Sequence, residues 1–286
     1  MRYNAFAKVF IFLIAFLIVV GITQFLGLVV LGASLNNISS PDYEMSLSEH
    51  VVTEILSAFT IYGLVVLFFK LGNETNYLKS SLSFKKQKKN ILKSALITAS
   101  IIIIGFLFIW LVGWIEVELS SITIVDFLLM ALLFIAVSFV EEVVIRGYIL
   151  HTLMNGMNKY WALIISSIIF SLMHFVNPNG TLLGFINLWL AGLFLGIVYV
   201  HTKNLWFALT AHFLWNFMQS PVLGFNVSGR ELPTLLKIEY LNHDMWTGGE
   251  FGFEGSFICT ILSILAIILL DIHYRKKTKP VTVETV

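Results

Sequence analysis

Charge is scarce in this chain of 286 residues: Asp, Glu, Lys and Arg make up 12% of it against 58% hydrophobic residues, and the mean hydropathy is +0.88. Soluble domains carry about 25% charge, so a water-facing globule is excluded and the chain reads as a polytopic membrane protein. The few charges nearly balance, to a net of +1. That removes nucleic acid as a partner, because no basic face is available to neutralise phosphates. Cysteine is almost absent too. The one residue, Cys259, lies in an apolar run, which excludes a disulfide framework and a cysteine-based metal site. Low-complexity tracts, a repeat of fixed period and a His-Glu-x-x-His helix are likewise missing, so no zinc site can be read from local spacing.

What the chain has is long apolar runs. Eight are long enough to cross a hydrocarbon core of about 30 Å, near residues 9–32, 51–71, 94–114, 122–155, 160–176, 181–201, 205–224 and 256–272. The expected fold is therefore all-α, one transmembrane domain over residues 1–286 with about eight helices in one bundle. The first run, Val9 to Ala33, exceeds the roughly 7–15-residue core of a signal peptide and is expected to be retained as a span.

Loop charge sets the expected orientation, since Lys and Arg collect in short cytoplasmic loops. Arg2 and Lys8 precede the first run. The cluster Lys85, Lys86, Lys88, Lys89 and Lys93 follows the second, Lys159 the fourth, Lys203 the sixth, and Arg275, Lys276, Lys277 and Lys279 the last. Asp42, Glu44, Glu49, Glu116, Glu118, Arg230 and Glu231 fall on the other side. One alternation accommodates every charged loop and puts both termini in the cytoplasm.

Within this apolar background the stretch Val140-Glu141-Glu142-Val143-Val144-Ile145-Arg146-Gly147-Tyr148 carries three charges. Ionisable groups at membrane depth are costly and usually face a bundle interior, where they pair or do chemistry. If the fourth helix continues to about Thr152–Asn155, Glu141 lies roughly 15–20 Å deep, with Gly147 and Gly156 as points where it bends or ends. Glu142 and Arg146, at i and i+4, can pair on one face, whereas Glu141 points about 100° away. The fifth run holds Phe170 and His174 one turn apart, and the seventh holds His212 and Asn216 at the same spacing. In the sixth, Asn187, Gly192 and Gly196 are the residues of a close helix contact.

A buried carboxylate beside a histidine can activate water, and a second histidine with an amide can donate to the oxyanion formed when water attacks a carbonyl. The same residues also admit structural roles: Glu141, Glu142 and Arg146 as an ion cluster fixing helix packing, His174 as an interhelical donor, His212 and Asn216 as packing contacts. Phe170 is expected on the cavity wall. His151, His201, His243 and His273 fall at span ends or in loops and are given no role.

The series Glu141-Glu142-x-x-x-Arg146, Phe170-x-x-x-His174 and His212-x-x-x-Asn216 resembles the signature of the CPBP intramembrane proteases, which include CAAX prenyl endopeptidases and bacterial enzymes of bacteriocin processing and self-immunity. Each motif alone is weak; three in order on successive runs, within a catalytic core at 122–224, are specific. The resemblance implies an endopeptidase in which Glu141 and His174 activate water, His212 and Asn216 hold the oxyanion, and Glu142 and Arg146 support them. It leaves metal open: the preferred reading needs no cofactor, and the zinc version would use Glu141, His174 and His212. The expected substrate is a membrane-associated peptide or lipidated peptide, with membrane lipid as surroundings and no oligomeric state indicated. The Ile, Lys and Asn-rich usage points to a bacterial cell membrane, where a bacteriocin precursor or signalling peptide fits better than a prenylated CAAX protein. The site is expected to open toward the cytoplasmic half of the bilayer. Two competing classes are a non-catalytic membrane immunity or regulatory protein, which the loss of a motif residue would favour, and a transporter, which would show internal symmetry and a continuous polar path.

Overall fold

A chain in hydrocarbon must satisfy its backbone groups internally, which leaves helices as the spanning elements here. The structure, a computed structural model, describes residues 4–34, 38, 40, 43, 45–241 and 244–278. Arg2, Asp42, Glu44, His243 and Lys279, which entered the sequence reading, lie outside them. Eight longer helices follow one another: α1 (Ala5–Val30), α2 (Leu47–Leu71), α3 (Lys88–Leu111), α4 (Ile124–Met154), α5 (Lys159–Met173), α6 (Leu182–Thr202), α7 (Trp206–Phe217) and α8 (Phe257–Thr278).

Six of these, α1 to α4, α6 and α8, are long and apolar enough to cross a membrane. The expected count of eight is not reached by length. Helix α5 has 15 residues and α7 has 12, roughly 22 and 18 Å against a core of about 30 Å. Each shortening has a local cause. Helix α5 stops at His174, where the chain leaves helical geometry. Helix α7 passes into a π turn at Met218–Val222 that contains Pro221, a residue with no amide hydrogen to continue the ladder.

Helix α4 does run through the charged motif. Thr123 caps its start by accepting from the Asp126 amide, and it ends at Met154, just before Gly156. Gly147 does not end it. Instead the segment Val143–Leu150 is a π-helix, every residue of which is buried. Such an insertion widens the turn and re-aims the side chains beyond it, a feature recurrent at functional sites.

The packing around α4 brings three distant helices to it. Its first half lies on α2 and α7, and its π segment on α5. Helices α5 and α6 approach closely because Gly192 has no side chain. A Cβ there would sit 2.7 Å from Ser167 Cβ and 2.9 Å from Ser167 Cα. One connected apolar core runs from Val9 on α1 to Tyr274 on α8.

The two ends of the bundle differ in chemistry. At one end Leu205 N–H donates to Ser81 O (2.9 Å), Asn204 Nδ2 to Ser83 O (3.0 Å), and Tyr160 and Arg275 to Asp271, which gathers the lysine-bearing loops with the C-terminal end of α8. At the other, a two-stranded antiparallel sheet absent from the sequence reading pairs β1 (Ile115–Leu119) with β2 (Leu236–Tyr240), Ile115 opposite Tyr240. It ties the end of α3 to the segment between α7 and α8.

Candidate active site

The three motifs meet where α4, α5 and α7 face one cavity. Arg146 Nη1 donates to Glu142 Oε1 over 2.7 Å, and its Nη2 donates to the Gly192 carbonyl over 3.0 Å. The guanidinium also lies 4.8 Å from the centre of the Phe170 ring, in cation–π contact. Glu142 and Arg146 are fully buried, 0% and 1% exposed, so each is the other's required counter-charge. The same Glu142 oxygen is 2.8 Å from His212 Nδ1. A carboxylate only accepts, so Nδ1 carries the proton.

His174 is oriented by the same logic. Its Nδ1 is 2.9 Å from the Phe170 carbonyl, again an acceptor, so Nδ1 donates and Nε2 is the free nitrogen. Glu141 completes the cluster from the other face of α4: its Oε2 is 3.9 Å from His174 Nε2 and 3.8 Å from His212 Nε2. Among the described residues none donates a hydrogen bond to that oxygen. Two imidazole nitrogens thus lie within 3.9 Å of one carboxylate oxygen.

These residues line a cavity of about 310 Å³ that also includes Phe170 and Asn216. Among residues to which the sequence reading gave no site role, its wall also holds His50 and Glu54 on α2, Trp215 on α7, and Arg230 and Glu254 from the segment after α7. Glu54 was legible by the same argument that singled out Glu141, a charge inside an apolar run. Glu254 is 4% exposed and fully engaged, accepting from Trp215 Nε1 (3.0 Å), Ser228 N (2.9 Å) and Ser228 Oγ (2.7 Å). Asn187 is structural: its Nδ2 donates to the Glu254 and Ser256 carbonyls over 2.7 and 2.8 Å, and its Oδ1 accepts from Thr260 over 2.7 Å. His151 and His201 pair with Glu74 and Asp271 at the basic end, away from the cavity.

The cavity opens at the strand end, away from the lysine-bearing loops. Its wall includes Met45, the first turns of α2, Asn177, and Val227, Ser228, Arg230 and Leu232, all at the strand end. The lysine-bearing loops contribute none of it. The two helices run in opposite directions: α5 climbs from the lysine-bearing end and places His174 at its strand-end terminus, whereas α4 starts at the strand end and carries Glu141 just past its midpoint.

In chemistry the donor set suits zinc, which takes imidazole nitrogen and carboxylate oxygen and keeps a fourth position for water. In spacing it is loose. Ligand atoms about 2.0–2.1 Å from a tetrahedral ion lie roughly 3.4 Å apart, against the 3.8 and 3.9 Å found here. Among the described residues no group of three such side chains closes on a common metal position.

Fold and cluster together define a multi-pass membrane protein with a buried glutamate–histidine site. The family model described as Rce1-like, Type II CAAX prenyl endopeptidase Rce1-like, matches residues 123–218. That range holds Glu141, Glu142, Arg146, Phe170, His174, His212 and Asn216, and the match bears out the family resemblance carried by the three motifs. Neither the curated proteins nor the solved structures give a match.

Proposed function

We propose that this protein is an intramembrane endopeptidase that hydrolyses a peptide bond of a membrane-associated peptide or protein with a water activated by Glu141 and His174. The observation that carries the reading is the placing of one free carboxylate oxygen within 3.9 Å of two oriented histidines on the wall of an apolar cavity. Glu141 takes a proton from water, the resulting hydroxide adds to the carbonyl carbon, and the C–N bond breaks as that proton is passed to the leaving amine. Asn216 donates to the oxyanion. His212 can do so only when Nε2 carries a second proton, and Glu142 at Nδ1 stabilises that imidazolium. Phe170 holds Arg146 and, through its carbonyl, His174.

A second reading has its own support. Glu141, His174 and His212 offer one carboxylate oxygen and two imidazole nitrogens within 3.9 Å of that oxygen, the ligand types zinc takes, and zinc held there would polarise water. In both readings the substrate is a peptide in a membrane, not nucleic acid. The test is cleavage of candidate membrane peptides by purified protein, with Glu141→Gln as control. Equal cleavage by both proteins would leave the immunity or regulatory role as the better account.

A further inference from the structure

We infer that the catalytic cavity is loaded from the extracytoplasmic face, so that its substrate is a peptide segment presented on the outer side of the membrane. The inference rests on the hydrolase reading for the word substrate, and on separate observations for the side.

The first observation is where the cavity leads. From Glu141 and His212 its wall passes to Leu133 and Phe134 on α4, to Thr53, Glu54 and His50 at the start of α2, and ends at the exposed Arg230. The other direction is closed. Below the site the π segment Val143–Leu150 is buried throughout, and Leu78, Leu153 and Leu205 pack there at 2%, 0% and 0% exposure. A cavity of about 210 Å³ at that end, lined by Lys8, Phe69, Glu74 and Tyr148 among others, shares no residue with the catalytic one.

The second observation is charge. Of the 18 Lys and Arg residues, Arg146 is in the core, and among the described residues only Arg230 and Lys237 lie at the strand end. The remainder described sit on the loops and helix ends gathered at the closed end, including Lys70, Lys79, Lys159, Lys203 and Arg275. The acids divide the other way, with Glu49, Glu116, Glu118, Glu231, Glu239, Asp244 and Glu250 at the strand end. Basic residues in short loops stay on the cytoplasmic side, and each is worth about 1 kcal/mol near an anionic leaflet. An imbalance of this size fixes the closed end inside and the cavity mouth outside.

The third is the cover. The segment between α7 and α8 forms the roof of the cavity and is pinned to α7 by Glu254, while β2 within it alternates half-buried and exposed residues. Alternation of that kind belongs to a strand at a water interface.

The test uses the full chain in intact cells and a membrane-impermeant maleimide. Wild type is the background, since Cys259 is 1% exposed. Arg230→Cys and Glu231→Cys are expected to label in intact cells, and Lys88→Cys only after permeabilisation; labelling of all three in permeabilised cells shows that each is present and folded enough to react. Labelling of Lys88→Cys but not the other two in intact cells overturns the inference, as does labelling of both ends from one side. The hydrolase reading fails on different data, equal peptide cleavage by purified wild type and Glu141→Gln, which leaves the sidedness result unchanged.

Discussion

His212 donates from Nδ1 to the Glu142 oxygen that Arg146 also holds, over 2.8 and 2.7 Å. One buried oxygen therefore sets both the tautomer of a site histidine and the position of the one guanidinium buried in the core among the described residues. Glu142 is not among the residues that line the cavity, which on the proposed reading makes it a support rather than the base. Its chain neighbour Glu141, on another face of the same helix, has no such partner among the described residues and faces both Nε2 atoms.

The two glutamates should accordingly fail in different ways. Glu141→Gln is expected to abolish cleavage with little change in thermal stability, because volume is kept and no partner charge is stranded. Glu142→Gln strands Arg146, and losing one partner of a buried pair costs roughly 3–5 kcal/mol. Adding Arg146→Met should recover part of that loss. Thermal unfolding in detergent and peptide cleavage on all four proteins check this; a destabilised but active Glu141→Gln would reverse the assignment.

The parts of this molecule that depend on short range could be read from the chain. Long apolar runs gave the helices, and i, i+4 spacing gave the Glu142–Arg146 pair and the Phe170–His174 and His212–Asn216 faces. The π stretch at Val143–Leu150 was not legible, since nothing in a run of Val and Ile distinguishes i+4 from i+5 bonding. Nor were His50, Arg230 and Glu254 on the cavity wall, which reach it through contacts far apart in sequence. The strand pair escaped because two five-residue segments separated by more than a hundred residues carry almost no local signal.

Asn216 lines the cavity one turn beyond His212 and is 6% exposed. If it donates to the oxyanion, Asn216→Ala should lower kcat by about 10²–10³ with KM nearly unchanged, the cost of one removed donor. Steady-state kinetics on a peptide that wild type cleaves would separate this from a packing role, which would raise KM or lower stability instead.

Metal dependence is decided by chelation. With water activated by Glu141 and His174, activity should survive prolonged treatment with a strong chelator, and the purified protein should carry no stoichiometric zinc. Reproducible loss of activity restored by zinc would move the assignment to the zinc reading, with affinity falling as pH drops and the two histidines protonate. Elemental analysis of the same preparation gives a readout independent of activity.

Gly192 and Gly196 should differ in tolerance to alanine. A Cβ at 192 meets Ser167 backbone at 2.9 Å, whereas at 196 the nearest atom, 2.4 Å away, is the far end of the Leu163 side chain. Gly192→Ala must push α5 from α6 and disturb the carbonyl that Arg146 holds, so it should lower both stability and cleavage. Overpacking of this kind costs typically about 1–3 kcal/mol. Gly196→Ala should be the milder change in the same thermal assay.

Glu254 is the anchor by which the outer segment is held over the site. Its carboxylate takes Trp215 Nε1 from α7 and both Ser228 donors from the roof, and its backbone carbonyl takes Asn187 from α6. No guanidinium or ammonium is paired with it among the ion pairs of the described residues, so these neutral donors carry its charge. Glu254→Ala removes them together, and hydrogen bonds to a charged group are worth roughly 1.5–3 kcal/mol each where burial is complete. The expected result is a roof that opens locally while the bundle stays folded: faster protease nicking between Gly224 and Gly255, a modest fall in thermal stability, and cleavage that weakens mainly through KM. Glu254→Gln keeps the acceptor for Trp215 and should fall between wild type and Glu254→Ala. If Glu254→Ala left nicking unchanged and abolished turnover outright, Glu254 would have to be counted among the residues acting on the substrate.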